Sequence, residues 1–204
     1  AAAALLDTLD AARATGQATI VALAGNVAQA ARSAEIQRAL GRITVIRQRG
    51  DGLAERLVNA HTDAAARHPG MPVVQIGADT PQVTGSLLAE ASACLTADHR
   101  DAVLGLAIDG GWWAFGLRNP LHSAVLDQVP MSTPDTGRRT HRALLSAGLA
   151  IGELPLLSDV DTMLDAELVA QAAPSGRFAA AVTEVLLATN DRQPQPSTED
   201  LPGA

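Results

Sequence analysis

Lysine and tyrosine are absent from this sequence, and cysteine occurs once. The lone Cys94 excludes an internal disulfide and points to a reducing, cytoplasmic compartment. Set in an apolar helical pattern, it reads as a packed thiol rather than a nucleophile. Without lysine, all fifteen basic side chains are arginine, so any phosphate contact from a basic side chain falls to Arg. Twenty-two acidic residues outnumber them, the net charge is −7, and the arginines form no basic run. That argues against a nucleic-acid partner, which normally meets a basic face. Aromatic residues make up only 2%, so the core must be aliphatic. No apolar run approaches the roughly 20 residues of a membrane span, and no signal-peptide pattern is visible.

The 204 residues are 47% hydrophobic, enough for one compact domain with a real core. Short apolar runs alternate with helical patterns from "ATIVALA" through "RITVIRQ", "MPVVQIG", "DAVLGLA", "GWWAFGL" and "AIGELPLL". This predicts an α/β fold: three layers, a mostly parallel sheet, helices on both faces. Helices are expected over "VAQAARSAEIQRALG" and from Pro81 through Thr96, among others. We expect a single domain over residues 1–189 and a disordered Pro-rich tail over 190–204. Such sheets usually open with a strand, whereas here a helix comes first. A strand and its following loop are therefore expected to precede residue 1.

Ligands in open α/β sheets sit beyond the carboxyl ends of the strands. Asp79, Asp109, Asp159 and Asp161 all occupy such positions. Carboxylates gathered at one edge repel unless a cation neutralises them, and a set with open water positions suits Mg²⁺ or Mn²⁺ bridging a diphosphate. Each also has a plainer reading. Asp79 and Thr80 can cap the next helix, Thr162 with Asp165 matches a capping box, and Asp109 before two glycines can simply make a turn. In "DGGWWAFGL", Gly110 and Gly111 allow close backbone approach to a ligand. Trp112 and Trp113 point to opposite faces of an extended segment, so one is core and the other can face a cleft. In "VPMSTPDTGRRTHRALL", Ser132, Thr133 and the following amides are candidates for holding an anion. The histidines are scattered and take no role.

The blocks "RQRGDGLAERLVNAH", "QIGADTPQVT", "AVLGLAIDGGWWAFGLRNP", "VPMSTPDTGRRT" and "DVDT", in that order, resemble a bacterial family of GT-A-fold, glycosyltransferase-like proteins. The family is related to the guanylyltransferases of molybdenum cofactor and phospholactate metabolism. The resemblance spans about residues 1 to 165 and implies a nucleotide-diphospho-sugar transferase fold. It further implies metal ligation by Asp79 and Asp161, with Asp159 as a secondary ligand, and a Gly-rich basic loop that would lie before residue 1. Three departures stand out: Met131 where an aromatic residue is usual, "LAIDGG" without the usual proline, and "MLD" in place of "PED". The expected activity is metal-dependent transfer from a nucleoside diphosphate sugar to a small-molecule acceptor. The alternatives are nucleotidyl transfer to a phosphorylated small molecule and a non-catalytic nucleotide-binding module. Asp109 is the candidate catalytic carboxylate. Gly110, Gly111, Trp112, Ser132 and Thr133 are the candidate substrate contacts.

Overall fold

A computed structural model describes residues 1–96 and 100–190, so most of the expected tail lies outside the described residues. Six strands are described: β1 (Ile20–Leu23), β2 (Thr44–Arg47), β3 (Val73–Ile76), β4 (Ala102–Ala107), β5 (Trp112–Leu117) and β6 (Ile151–Leu157). The helices are α1 (Ala2–Ala14), α2 (Ser33–Leu40), α3 (Leu53–Arg67), α4 (Gly85–Thr96), α5 (Thr136–Ser146), α6 (Met163–Ala172) and α7 (Arg177–Asn190). The fold is α/β, as the alternation predicts.

The sheet is mixed rather than mostly parallel. β1 and β2 form a parallel pair of their own, and the other four strands lie in the order β3-β5-β4-β6. β5 runs antiparallel to both of its neighbours, while β4 and β6 are parallel. The cause is local. Asp109, Gly110 and Gly111 reverse the chain directly after β4, and a turn that short can only return it as a hairpin. β3, β4 and β6 still point the same way, so all three deliver their carboxyl ends to one edge.

Two helix boundaries differ from the sequence pattern. The segment expected as one helix from Val27 is a short 3-10 turn over Val27–Gln29, capped by the Asn26 side chain, followed by α2. Arg32 takes a left-handed φ of 59° between them and breaks the run. α4 begins at Gly85 rather than Pro81. Thr84 caps it, its Oγ1 accepting the Leu87 N–H at 3.2 Å, while Val83 N–H closes a turn on the Thr80 carbonyl.

The sheet core centres on Phe115, Leu117, Leu104, Leu126 and Leu144, all buried. Trp113 is buried as well: its indole lies over Gly105, where any Cβ would collide with it, and its Nε1 donates to the Pro155 carbonyl at 2.8 Å. Asp7 of α1 accepts the backbone N–H groups of Arg177 and Phe178, and the Arg177 guanidinium reaches Asp7 and Asp10. The last described helix is thereby capped from the first. No helix among the described residues is long and apolar enough to cross a membrane.

Candidate active site

The register of β4 against β6 builds the acidic centre. Ala107 pairs with Leu157, and Ile108 N–H extends the ladder to the Leu157 carbonyl at 3.0 Å. Asp109 and Asp159 each follow their strand's paired residue by two positions, so they emerge side by side. Asp161 lies two residues further along the second loop. One carboxylate oxygen from each of Asp109, Asp159 and Asp161 lies within 4.8 Å of the other two.

Local hydrogen bonds hold this arrangement. Asp109 Oδ1 accepts the Gly111 N–H at 2.7 Å, so the turn reading is correct and the same turn orients the carboxylate. The expected capping box is present, with Thr162 and Asp165 exchanging both bonds. It uses Asp165 and leaves the Asp161 carboxylate to the cluster. The Val160 N–H donates to the Asp79 carbonyl at 3.1 Å, and the Gln82 side chain donates to the Ser158 carbonyl. These bonds tie the loop after β6 to the loop after β3.

Asp79 lies near this cluster but outside it. β3 is separated from β4 by β5, which places its end two strand spacings, roughly 10 Å, from the end of β4. The Asp79 carboxylate folds back against Gly77, at a place where a Cβ would meet Asp79 Oδ1. Neither Asp79 nor Thr80 caps α4, a role that belongs to Thr84. Asp79, Asp109 and Asp159 nevertheless line one cavity of about 280 Å³. Asp159 is pushed up to about 6, chiefly by burial, with the charges of Asp109, Asp161 and Asp79 adding to it against a backbone hydrogen bond that pulls the other way. Burial and, after it, the neighbouring like charges disfavour the ionised form of this carboxyl, an effect that a counter-charge would offset.

The predicted contacts converge on this cavity. Gly111, Trp112, Ser132 and Thr133 line it. Gly110 lies beneath, at φ 92°, with its Cα packed against the Pro134 carbonyl where no Cβ fits. Gly137 N–H donates to the Gly110 carbonyl at 2.8 Å, locking the glycine turn to the start of α5. Ser132 holds a left-handed φ of 56°, uncommon for a residue other than glycine. The expected anion cradle is otherwise engaged. Thr133 N–H donates to Thr136 Oγ1, and Thr136 N–H donates to the Thr133 carbonyl.

Several lining residues were not legible in the sequence: Leu53 and Leu57 of α3, Gln75 of β3, and Thr136. Only the i, i+4 spacing of the two leucines gave a signal, and it reads equally as core. Beneath the cavity, His61 lies edge-on to Phe115, with ring centroids 5.3 Å apart. Burial pushes this imidazole down to about 4, while the neighbouring Gln75 opposes the shift without reaching hydrogen-bonding geometry. A wider hollow of about 350 Å³ beside Arg13, Arg42 and His68 opens at the other ends of β1 and β2 and is lined by no carboxylate.

Residues 7–133 match the family described as "Uncharacterized protein conserved in bacteria (DUF2064)". The chain belongs to that family. Among solved structures it is similar to a candidate nucleotide-diphospho-sugar transferase from Desulfovibrio desulfuricans G20. That match has 26% identity and a TM-score of 0.74, over 92% of this chain and 80% of that one. It also shares its fold with a cytidylyltransferase from Leptospira borgpetersenii serovar Hardjo-bovis (strain JB197). Here the identity is 11% and the TM-score 0.52, over 95% of this chain and 87% of that one. No curated protein matches. The DUF2064 match includes Asp79, Asp109 and the glycine turn but ends before Asp159 and Asp161.

Proposed function

We propose that this DUF2064 chain is a divalent-cation-dependent cytoplasmic transferase that takes a nucleoside diphosphate sugar as donor. The observation that carries the reading is the convergence of Asp109, Asp159 and Asp161 at one sheet edge, beside a cavity. An all-carboxylate set of hard oxygen donors fits Mg²⁺ or Mn²⁺, and the raised Asp159 fits a site built around missing positive charge. These three residues would hold the ion, which when bound supplies positive charge to a diphosphate. The fold of the Desulfovibrio protein supports the donor class.

In the transfer, an acceptor hydroxyl oxygen bonds to the anomeric carbon of the sugar as the bond from that carbon to the diphosphate breaks. The electron pair leaves with the diphosphate, and the hydroxyl proton is lost to a cavity carboxylate. Asp79 stands at the cavity outside the three-residue cluster and deepens its negative field. The glycine turn holds Asp109 in place, and Trp112 offers a face against which a sugar can lie. The fold shared with the cytidylyltransferase favours a second reading, nucleotidyl transfer from a nucleoside triphosphate.

Product analysis separates the two. Incubated with Mn²⁺, a panel of nucleotide sugars or nucleoside triphosphates, and mixed acceptors, the protein is expected to release nucleoside diphosphate from a nucleotide sugar. Pyrophosphate release from a triphosphate instead would establish the second reading. Neither product would leave a binding module.

A further inference from the structure

The sheet face beneath α5 continues past the end of its cover. Leu104 sits on that face in the core, packed with Leu144 of α5. Two residues on, Leu106 meets the start of α5: a Cβ on Gly137 would run into its Cδ2. Beyond that contact the described residues leave the face open. Leu106 is 39% exposed, Ile108 66% and Leu156 61%. Alternation along the strands puts the three side by side. Ile108 follows Leu106 by two positions and still belongs to the ladder, its N–H on the Leu157 carbonyl. Leu157 packs with Trp113 on the opposite face, so its neighbour Leu156 turns to this one.

A single exposed aliphatic is ordinary on a protein surface, but an adjacent group of them marks an interaction site. Its position says which site. Ile108 immediately precedes Asp109, and Leu156 precedes Asp159 by three residues, so the patch borders the acidic cluster. A second copy of the chain is a poor occupant. β6 is the edge strand of its sheet. It carries Pro155 and the exposed charge of Glu153, and both features block strand addition at an edge. Three side chains also expose a few hundred Å² at most, well short of the roughly 800 Å² per partner that a stable interface buries. An area of that size suits one small apolar group.

We infer that the open face of Leu106, Ile108 and Leu156 seats an alkyl or aryl portion of the acceptor, whose hydroxyl then reaches the carboxylates beside it. The acceptor is an amphiphilic alcohol rather than a bare sugar or polyol. Calling this ligand an acceptor rests on the transferase reading; the seating of an apolar group on this face does not.

The test uses the full chain, labelled at its isoleucine and leucine methyls and followed by NMR. Hexyl, phenyl and methyl β-glucosides are titrated in, with and without Mn²⁺ and UDP or GDP. The hexyl or the phenyl glucoside is expected to shift the methyls of Leu106, Ile108 and Leu156, and to bind about tenfold or more tightly than the methyl glucoside. Ile108→Asn and Leu156→Asn replace exposed aliphatics, so both should melt near wild type and each should cut that advantage to about threefold or less. Equal affinity for the three glucosides, shifts confined to other methyls, or folded variants that keep the advantage would each overturn the inference. So would shifts of the same methyls with protein concentration alone, which would make the face a contact between copies. If neither variant folds, the wild-type shifts and affinities decide. Calorimetric titration with Mn²⁺ and UDP or GDP keeps the two ideas apart. No nucleotide binding with the apolar preference intact would remove the transferase reading and leave the apolar seat standing, whereas nucleotide binding without the preference would remove this inference alone.

Discussion

His61→Leu should remove a defined part of the protein's acid sensitivity. The imidazole is 1% exposed, neither ring nitrogen has a partner, and its folded value is about 4 against 6.5 when unfolded. The folded state thus binds fewer protons than the unfolded state between these two values. Stability from this group is fully present above the unfolded value and is lost as pH falls toward the folded one. Integrating the proton difference from about pH 7.5 down to about pH 5 gives a loss of about 2 kcal/mol. Urea unfolding of wild type and His61→Leu at both pH values isolates it, because groups shared by the two proteins cancel in the double difference. The leucine variant should lose about 2 kcal/mol less than wild type over that interval. At neutral pH it should be at least as stable, since two unmet nitrogens are replaced by hydrocarbon. Equal pH dependence in the two proteins, within about 0.5 kcal/mol, would refute the reasoning and mean that the buried imidazole finds a proton partner.

Other consequences follow from the same geometry. Gly110→Ala forces a Cβ onto the Pro134 carbonyl at a left-handed φ and should cost about 2 kcal/mol or more. Gly148→Ala, equally left-handed at φ 76° but with open space around it, should cost nearer 1 kcal/mol; thermal unfolding of both reads the difference. Trp113→Phe loses the bond to Pro155 and leaves a void, an expected cost of about 3 kcal/mol. Trp112→Phe should cost clearly less in the same melt, and the fluorescence of Trp112 rather than Trp113 should respond to a cavity ligand. Asp159→Asn should leave metal-free stability level or raise it, because a carboxyl strained by burial and like charges becomes neutral; a clear fall in melting temperature would count against the cluster's electrostatics.

Much of this fold can be read from the sequence because alternation between strand and helix periods survives in short aliphatic segments. What could not be read depends on pairing. Nothing in "VLGLAIDGGWWAF" states that the next strand returns antiparallel, and that hairpin is what makes the sheet mixed. The break at Arg32 and the late start of α4 depend on single dihedral and capping choices that competing local bonds decide. The site follows the same division. Carboxylates at strand ends are visible as a pattern, and the capping box at Thr162 is legible from spacing alone. Asp109, however, joins Asp159 only through the register of β4 on β6. Asp79 falls outside the cluster only because β5 inserts between β3 and β4. Gln75 carries no sequence signal, and Thr80 reads there only as a helix cap; that Gln75 Oε1 and Thr80 Oγ1 lack partners appears only in the fold.

The central claim is that Asp109, Asp159 and Asp161 together hold the cation that a nucleoside diphosphate requires. Electron paramagnetic resonance titration of Mn²⁺, with and without a nucleoside diphosphate, tests it most directly on wild type, Asp109→Asn, Asp161→Asn and Asp79→Asn. The account predicts tight Mn²⁺ binding enhanced by the nucleotide in wild type, a loss of about tenfold or more in Asp109→Asn and Asp161→Asn, and a smaller loss in Asp79→Asn. Undiminished Mn²⁺ binding in both Asp109→Asn and Asp161→Asn, with the loss confined to Asp79→Asn, would contradict it.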